Sequence, residues 1–301
     1  MGQQHLTVPE DFHSQRLDVY LAKNLADVPS RTFVKKLIDD GKVLVNNKKA
    51  KANHKVAQGE RVTVDIDDDA FAPIDIEPQN IPLDVFYEDE AVIVVNKPVG
   101  MLAHPTDSIF TGTLVNALLY HFLHLSDVNT RMRPGIVHRL DQDTSGLMVV
   151  AKDNRTHHRL AKQFAQHTVK KKYLAFVEGN VRFEEGKIDE PLGRHALHRE
   201  QRDVDYTSNG KESVTFYKVI KRLPKCTYVA LFPQTGRTHQ LRVHMAFLGH
   251  PILGDEKYGH KKSFSRLALH AQTIGFLHPN SHHYVEFSSK PPAEFLALLN
   301  K

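Results

Sequence analysis

Residues 138–146 read His-Arg-Leu-Asp-Gln-Asp-Thr-Ser-Gly and set two carboxylates, a guanidinium and an imidazole directly before an apolar run, Leu147 to Ala151. A charged cluster against a buried strand costs free energy unless its charges are paired or hydrogen-bonded. Arg139 and Asp141, two residues apart, would share one face of an early strand. Asp143-Thr144-Ser145-Gly146 has the composition of a turn that needs no chemistry at all. Asp141 and Asp143 together allow a glycosidase-like acid and base, but Asp-x-Asp pairs are common in loops and nothing fixes their separation. Among the 20 histidines, His239 and His244 stand five apart on different faces of a helix, and no HExxH occurs, so a metal site has little support. The single cysteine, Cys226, lies in a strand-like stretch and reads as an inert thiol. No P-loop and no GxGxxG is present. The residues alone leave a structural turn and a catalytic loop both open.

The elements around this cluster divide the chain. Leu17, Tyr20, Leu21 and Leu25 recur at helical spacing. Pro29-Ser30 opens a second helix, with Ser30 as its N-cap and Gly41 as its stop. On that helix Arg31 and Lys35 share a face, and Lys36 is adjacent. Short strands follow at 43–45 and 61–66. An acidic and proline-bearing stretch at 67–82 reads as a linker. Beyond it the sequence predicts a hairpin over 85–96, a helix over 113–123, a strand over 146–151, a basic helix over 155–166, strands at 173–177 and 228–232, and a helix over 238–248 ended by Gly249. Strands and helices mix without regular alternation. The expected class is α+β, with a largely antiparallel mixed sheet flanked by helices and a central cleft, preceded by a small α+β domain. The expected division is 1–75, with its core at about 14–67, and 76–301.

Composition narrows the function classes. One cysteine allows no internal disulfide and no thiolate-rich metal site, which fits a reducing cytoplasm. The first residues lack a signal-peptide pattern, and no apolar run approaches the roughly 18 residues that span a membrane. The net charge of +5 is mild, but its distribution is not. Residues 31–61 hold nine basic and three acidic side chains, and residues 152–172 hold seven and one. Such patches suit a polyanion, although two solvated faces would look the same.

His138 to Leu147 resembles the signature of the RluA family of pseudouridine synthases. Further motifs follow in the order that the family has them: AVIVVNKPVGMLAHP (91–105), Lys171-Lys172-Tyr173-Leu174-Ala175, TGRTHQLRVH (235–244), Gly249-His250-Pro251-Ile252-Leu253-Gly254-Asp255 and Arg266-Leu267-Ala268-Leu269-His270-Ala271. They cover nearly all of residues 76–295 without a departure at the motif positions. Residues 14–67 resemble the small RNA-binding domain that many family members carry, also found in a ribosomal protein and in tyrosyl-tRNA synthetases. The arrangement is most similar to members acting on large-subunit ribosomal RNA.

The resemblance implies an enzyme that detaches uracil from its ribose, turns it and rejoins it through carbon, with no cofactor, metal or ATP. It implies that Asp141 is the essential aspartate, as nucleophile or as base. It implies that Tyr173 is the active-site tyrosine, whose ring can stack on the extruded uracil and whose hydroxyl can move a proton, and that Arg242 pairs with Asp141, favouring the charged carboxylate. Extrusion costs a few kcal/mol. Arg139, with its planar guanidinium, is the candidate to fill the vacated stack, unless it only pairs with Asp141 or Asp143. His138 is a candidate RNA contact or a loop support. Arg31, Lys35 and Lys36 would hold RNA phosphates. The expected partner is RNA, ribosomal first and transfer RNA second, with the protein acting as a monomer and away from membranes. The alternative from another class is a non-catalytic RNA-binding or ribosome-assembly factor.

Overall fold

The computed structural model describes residues 2–25, 31–66, 76–106, 108–128, 133–198, 200–260 and 263–300. Ser30, most of the 67–82 stretch, and the side chains of Arg31 and Lys36 lie outside the described residues. The chain forms two compact units, Met1–Ile74 and Asp75–Lys301.

In the smaller unit, helices α1 (Leu17–Asn24) and α2 (Arg31–Asp39) pack on a four-stranded antiparallel sheet. Its order is β1 (Gly2–Thr7), β4 (Arg61–Ile66), β2 (Val43–Val45), β3 (Lys48–Lys49). Leu17, Tyr20 and Leu21 from α1 meet Val34, Leu37 and Ile38 from α2 over Val43, Val62 and Val64. Each such side chain, fully buried, contributes about 1.5–3 kcal/mol. The expected helices and the strands at 43–45 and 61–66 are present. β1 was not expected, because Gly2–Thr7 is a polar segment whose place depends on pairing with β4, Gly2 opposite Ile66 through Thr7 opposite Arg61.

The larger unit is built on a nine-stranded sheet. Eight strands run in the order β5 (Val85–Glu88), β6 (Val92–Lys97), β7 (Ser145–Ala151), β14 (Leu269–Leu277), β8 (Lys170–Glu178), β13 (Cys226–Pro233), β12 (Val214–Arg222), β9 (Glu185–Asp189), and β15 (Tyr284–Ser288) pairs with β14. Every neighbouring pair is antiparallel except β7 with β14. That seam is close. A Cβ on Gly146, where φ is +122°, would lie 2.2 Å from the Ala271 carbonyl oxygen, so only glycine fits there. A separate ribbon joins β10 (Leu192–Arg194) to β11 (Arg202–Val204).

Helices α3 (Leu114–His121), α4 (Asn154–Ala165), α5 (Gln240–Phe247) and α6 (Ala293–Leu299) flank the sheet. Thr113 caps α3 in a capping box with Asn116, and the Asp153 carboxylate caps α4 by accepting from the Thr156 N–H; each cap is worth about 1 kcal/mol. The hydrophobic core falls into clusters on the two sides of the sheet, and Tyr173 packs against two of them. No helix among the described residues is long and apolar enough to cross a membrane.

Candidate active site

Asp141 is presented by a turn. Leu140 is buried and anchors the approach. The Thr144 N–H donates to the Asp141 carbonyl at 3.1 Å, and β7 begins at the next residue. The turn therefore falls at 141–144, two residues before the one expected from Asp143 to Gly146, because Gly146 is needed inside the strand against Ala271. Residues 137–141 are irregular, so Arg139 and Asp141 do not share a strand face.

Lys97 fastens this turn from below. It ends β6, is 1% exposed, and its ammonium donates to the carbonyls of Pro98 (2.9 Å), Met101 (2.7 Å) and Gln142 (3.1 Å). Burial pushes its pKa down to about 8 against the pull of Asp143 and Asp141. The Gly100 N–H donates to the Gln142 carbonyl at 2.9 Å, and the Gln142 side chain returns a bond to Gly100 at 3.1 Å. From the other side, Ser145 joins a buried polar chain. Arg266 donates to the Ser145 hydroxyl (2.9 Å), which lies 2.9 Å from His270 Nδ1, and His270 Nε2 lies 2.9 Å from the Ser289 hydroxyl. Burial pushes His270 down to about 4, so its ring is neutral. Arg266 also pairs with Glu294 on α6 at 3.1 Å.

The Asp141 carboxylate faces a cleft of about 500 Å³ that Tyr173, Lys171, His239 and Arg242 also line. Tyr173, on β8, is partly buried. Burial, then the Asp141 charge, raises its pKa, so its hydroxyl stays protonated at neutral pH. Lys171, two residues before it, has its Nζ 3.4 Å from the Thr235 carbonyl and is pushed by burial down to about 8.

Arg242 pairs with two carboxylates, not with Asp141 alone. Its close partner is Asp255, to which Nε and Nη2 each donate at 2.7 Å. Asp141 is further off, with Oδ2 3.9 Å from Nη1. The difference follows from burial. Asp255 is 0% exposed and needs a bidentate partner plus the N–H groups of Lys257 (2.9 Å) and Tyr258 (3.1 Å). The Asp141 side chain is 19% exposed and keeps an open side toward the cleft. Arg242 also lies 5.1 Å from the centre of the Tyr258 ring.

Of the residues expected to meet RNA, His138 is half-buried and lines the same cleft as Asp141. Its Nε2 accepts from the Val149 N–H at 3.0 Å, its ring stacks on Phe164 at 4.6 Å, and burial pushes its pKa down to about 3. A neutral ring bonded to β7 is a support for the loop. Arg139 is exposed and makes no ion pair among the described residues, so the alternative pairing with Asp141 or Asp143 is not formed. It shares its surroundings with Arg133 and with buried His104, which burial and these two cations hold down at about 4. Lys35 is exposed on α2, and a groove in the smaller unit is lined by Lys48, Lys49 and Lys51.

Lys97, Asp255 and Tyr258 were missed as individuals, and His239 was weighed only as a metal ligand. Lys97 carried a signal, a lysine closing an otherwise apolar buried strand, which demands acceptors. Asp255 stood at the end of a family motif, but nothing there pointed to its partner, 13 residues away across a loop.

Comparison with known proteins gives this geometry a context. Residues 91–247 match the RNA pseudouridylate synthase family, and residues 15–62 match the S4 domain. An uncharacterised RNA pseudouridine synthase of Bacillus subtilis is 44% identical over 99% of this chain and 98% of its own length. A ribosomal large subunit pseudouridine synthase D of Zymomonas mobilis is 40% identical over 99% of this chain and 97% of its own. Among solved structures, human RNA pseudouridylate synthase domain containing 1 superposes with a TM-score of 0.59 at 28% identity, covering 71% of this chain and 85% of that one. With an S4 domain ahead of a cleft that holds Asp141, Tyr173 and Arg242, this chain belongs to the RNA pseudouridylate synthase family.

Proposed function

We propose that the enzyme isomerises particular uridines of large-subunit ribosomal RNA, with Asp141 as the residue that acts on the ribose. The carrying observation is the convergence of Asp141, Tyr173 and Arg242, from three distant segments, on one cleft of about 500 Å³. That volume falls in the range that takes a small organic molecule, here one extruded nucleoside. The open side of Asp141 meets C1′, or a ribose proton, of that nucleoside. Protonated Tyr173 stacks its neutral ring on the uracil. Arg242, held by Asp255, keeps a fixed positive charge 3.9 Å from the carboxylate without capping it. Exposed Arg139 enters the stack that the uridine leaves.

The S4 domain binds RNA through its lysines, Lys35 and Lys48 among them, which adds affinity more than base choice. The choice of ribosomal RNA over transfer RNA rests on the relatives named synthase D and on their coverage of the whole chain. A single chain working in the cytoplasm completes the reading.

The test is tritium release from unmodified ribosomal RNA carrying tritium at C5 of uracil. Release by the intact protein and none by Asp141→Asn is the expected result. Failure of the intact protein to release tritium from both ribosomal and transfer RNA would sink the assignment.

A further inference from the structure

We propose that His239 is a further catalytic residue, whose imidazole N–H donates a hydrogen bond to a carbonyl oxygen of the uracil while the base is detached from the ribose. This rests on the reading of Asp141 given above.

His239 precedes α5 with φ 58° and ψ 14°, in the left-handed region. Such a conformation costs a non-glycine residue about 1–3 kcal/mol and persists only where neighbours enforce it. Here they do. The next residue, Gln240, is buried and bonded on four sides: it accepts from the Thr235 hydroxyl (2.7 Å) and the Arg237 N–H (3.0 Å), and donates to the Val214 carbonyl (2.9 Å) and the Thr215 hydroxyl (3.0 Å). The fixed helix start turns the His239 ring into the cleft beside Asp141 and Tyr173.

The ring is also oriented. Nδ1 lies 2.7 Å from the Tyr258 hydroxyl, and that hydroxyl accepts from the Arg202 N–H at 2.8 Å. A phenol that accepts there keeps its own proton to give, and the acceptor within reach is Nδ1. The imidazole proton then sits on Nε2, which has no protein partner among the described residues. Burial, reinforced by Arg242 and Lys257 and opposed by Asp141 and Asp255, holds His239 down at about 4, so it is an uncharged donor at neutral pH.

The chemistry calls for such a donor. When the C1′–N1 bond breaks, its electron pair stays on uracil and spreads over N1, O2 and O4. This holds whether Asp141 bonds to C1′ or removes a ribose proton. The anion must keep that pair, because C5 then attacks C1′, displacing the Asp141 carboxylate in the first route or adding as Asp141 returns its proton to C2′ in the second, and the C5 proton finally moves to N1. A strong acid would quench it. A neutral N–H stabilises the developing charge and hands over no proton. Arg242 is less free for this task, since Nε and Nη2 are committed to Asp255.

The test uses the full chain with ribosomal RNA, or with transfer RNA if that is what it turns over. Asparagine tolerates the left-handed conformation, and its amide reaches only as far as Nδ1. Glutamine places an N–H where Nε2 stood. A purely structural histidine is replaced best by asparagine, a donor by glutamine. Single-turnover rates at saturating enzyme should fall about 100-fold in His239→Asn, with an unchanged melting temperature and RNA affinity, and His239→Gln should recover at least about fivefold of that loss. An asparagine variant keeping more than about a tenth of the rate, or a glutamine variant no better than it, overturns the proposal. Should neither variant fold, Tyr258→Phe frees the tautomer while keeping His239, and must slow the step at least about fivefold; a smaller change overturns the proposal. Active His239 variants beside a dead Asp141→Asn sink this inference alone, whereas an active Asp141→Asn sinks the reading beneath it.

Discussion

The two units of the chain handle charge in opposite ways. In the S4 unit the core is almost wholly aliphatic, its one fully buried charge among the described residues is Asp18, paired with Arg16 at 3.0 Å, and Lys35, Lys48, Lys49 and Lys51 stand exposed on its surface. In the catalytic unit, Lys97, Arg242 and Asp255 are each 4% exposed or less, and four histidines, His104, His138, His239 and His270, are held neutral by burial. Surface charges act through long-range attraction, tolerate single losses and weaken with salt. Buried charges act by position, and losing one partner strands the other. One unit should therefore respond to ionic strength, the other to single substitutions and to acid.

The largest contrast is expected at Asp141. Asp141→Asn should lower turnover by at least about a thousandfold while leaving RNA affinity within about threefold, read by single-turnover kinetics and filter binding on the same preparation. Residual turnover above a hundredth of wild type would remove Asp141 from the centre of the comparison. Next comes Asp255→Asn, which leaves the Arg242 guanidinium buried without its carboxylate. Denaturant titration should show a loss of about 3–5 kcal/mol, against under about 0.5 kcal/mol for Lys48→Ala in the other unit.

The histidines give a pH signature. Unfolded histidine titrates near 6.5, whereas His138 in the fold is held at about 3 and His104 and His270 at about 4. Below 6.5 the unfolded chain binds protons that the folded one refuses. Stability should be full above pH 6.5 and fall as the pH drops toward 4, by up to about 1.4 kcal/mol per pH unit for each histidine. Replacing His138 with glutamine should flatten that slope by one proton; an unchanged slope would mean that the ring is not held neutral. The smallest effect is assigned to the surface. Lys48→Ala, Lys49→Ala and Lys51→Ala together should reduce the salt slope of RNA binding by about one per lost phosphate contact, with the rate at saturation unaltered.

What could be read in the sequence follows the same division between local and distant causes. The paired helices of the S4 unit, the helices α3 to α5 and the strands β6, β7, β8 and β13 declare themselves through apolar periodicity and end signals that lie within a dozen residues. Strand β1 and the strands β9 to β12 are partly polar and take their conformation from neighbours far along the chain. The site divides likewise. Asp141, Tyr173 and Arg242 could be placed by resemblance, and the cleft does gather them. The bidentate hold of Asp255 on Arg242 could not, because spacing says nothing about which of two aspartates a guanidinium will choose. Burial decides that, and burial is a property of the finished fold. His138, expected as an RNA contact or a loop support, lines the cleft, and Phe164 and the Val149 N–H hold its ring there.

The position of β14 has a consequence for how the enzyme is made. Strands β5, β6 and β7 form one antiparallel group and β8, β13, β12 and β9 another, and residues 269–277 are the strip that joins them. A nascent chain leaves the ribosome from its N-terminus. Asp141 and Tyr173 are therefore made more than ninety residues before the strand that joins their two groups, and Gly146 waits for Ala271. The cleft closes only when the last part of the chain threads into the middle, a non-local step of the kind that slows folding. The S4 unit, complete by residue 66, can engage RNA long before the enzyme that it serves is able to change a base.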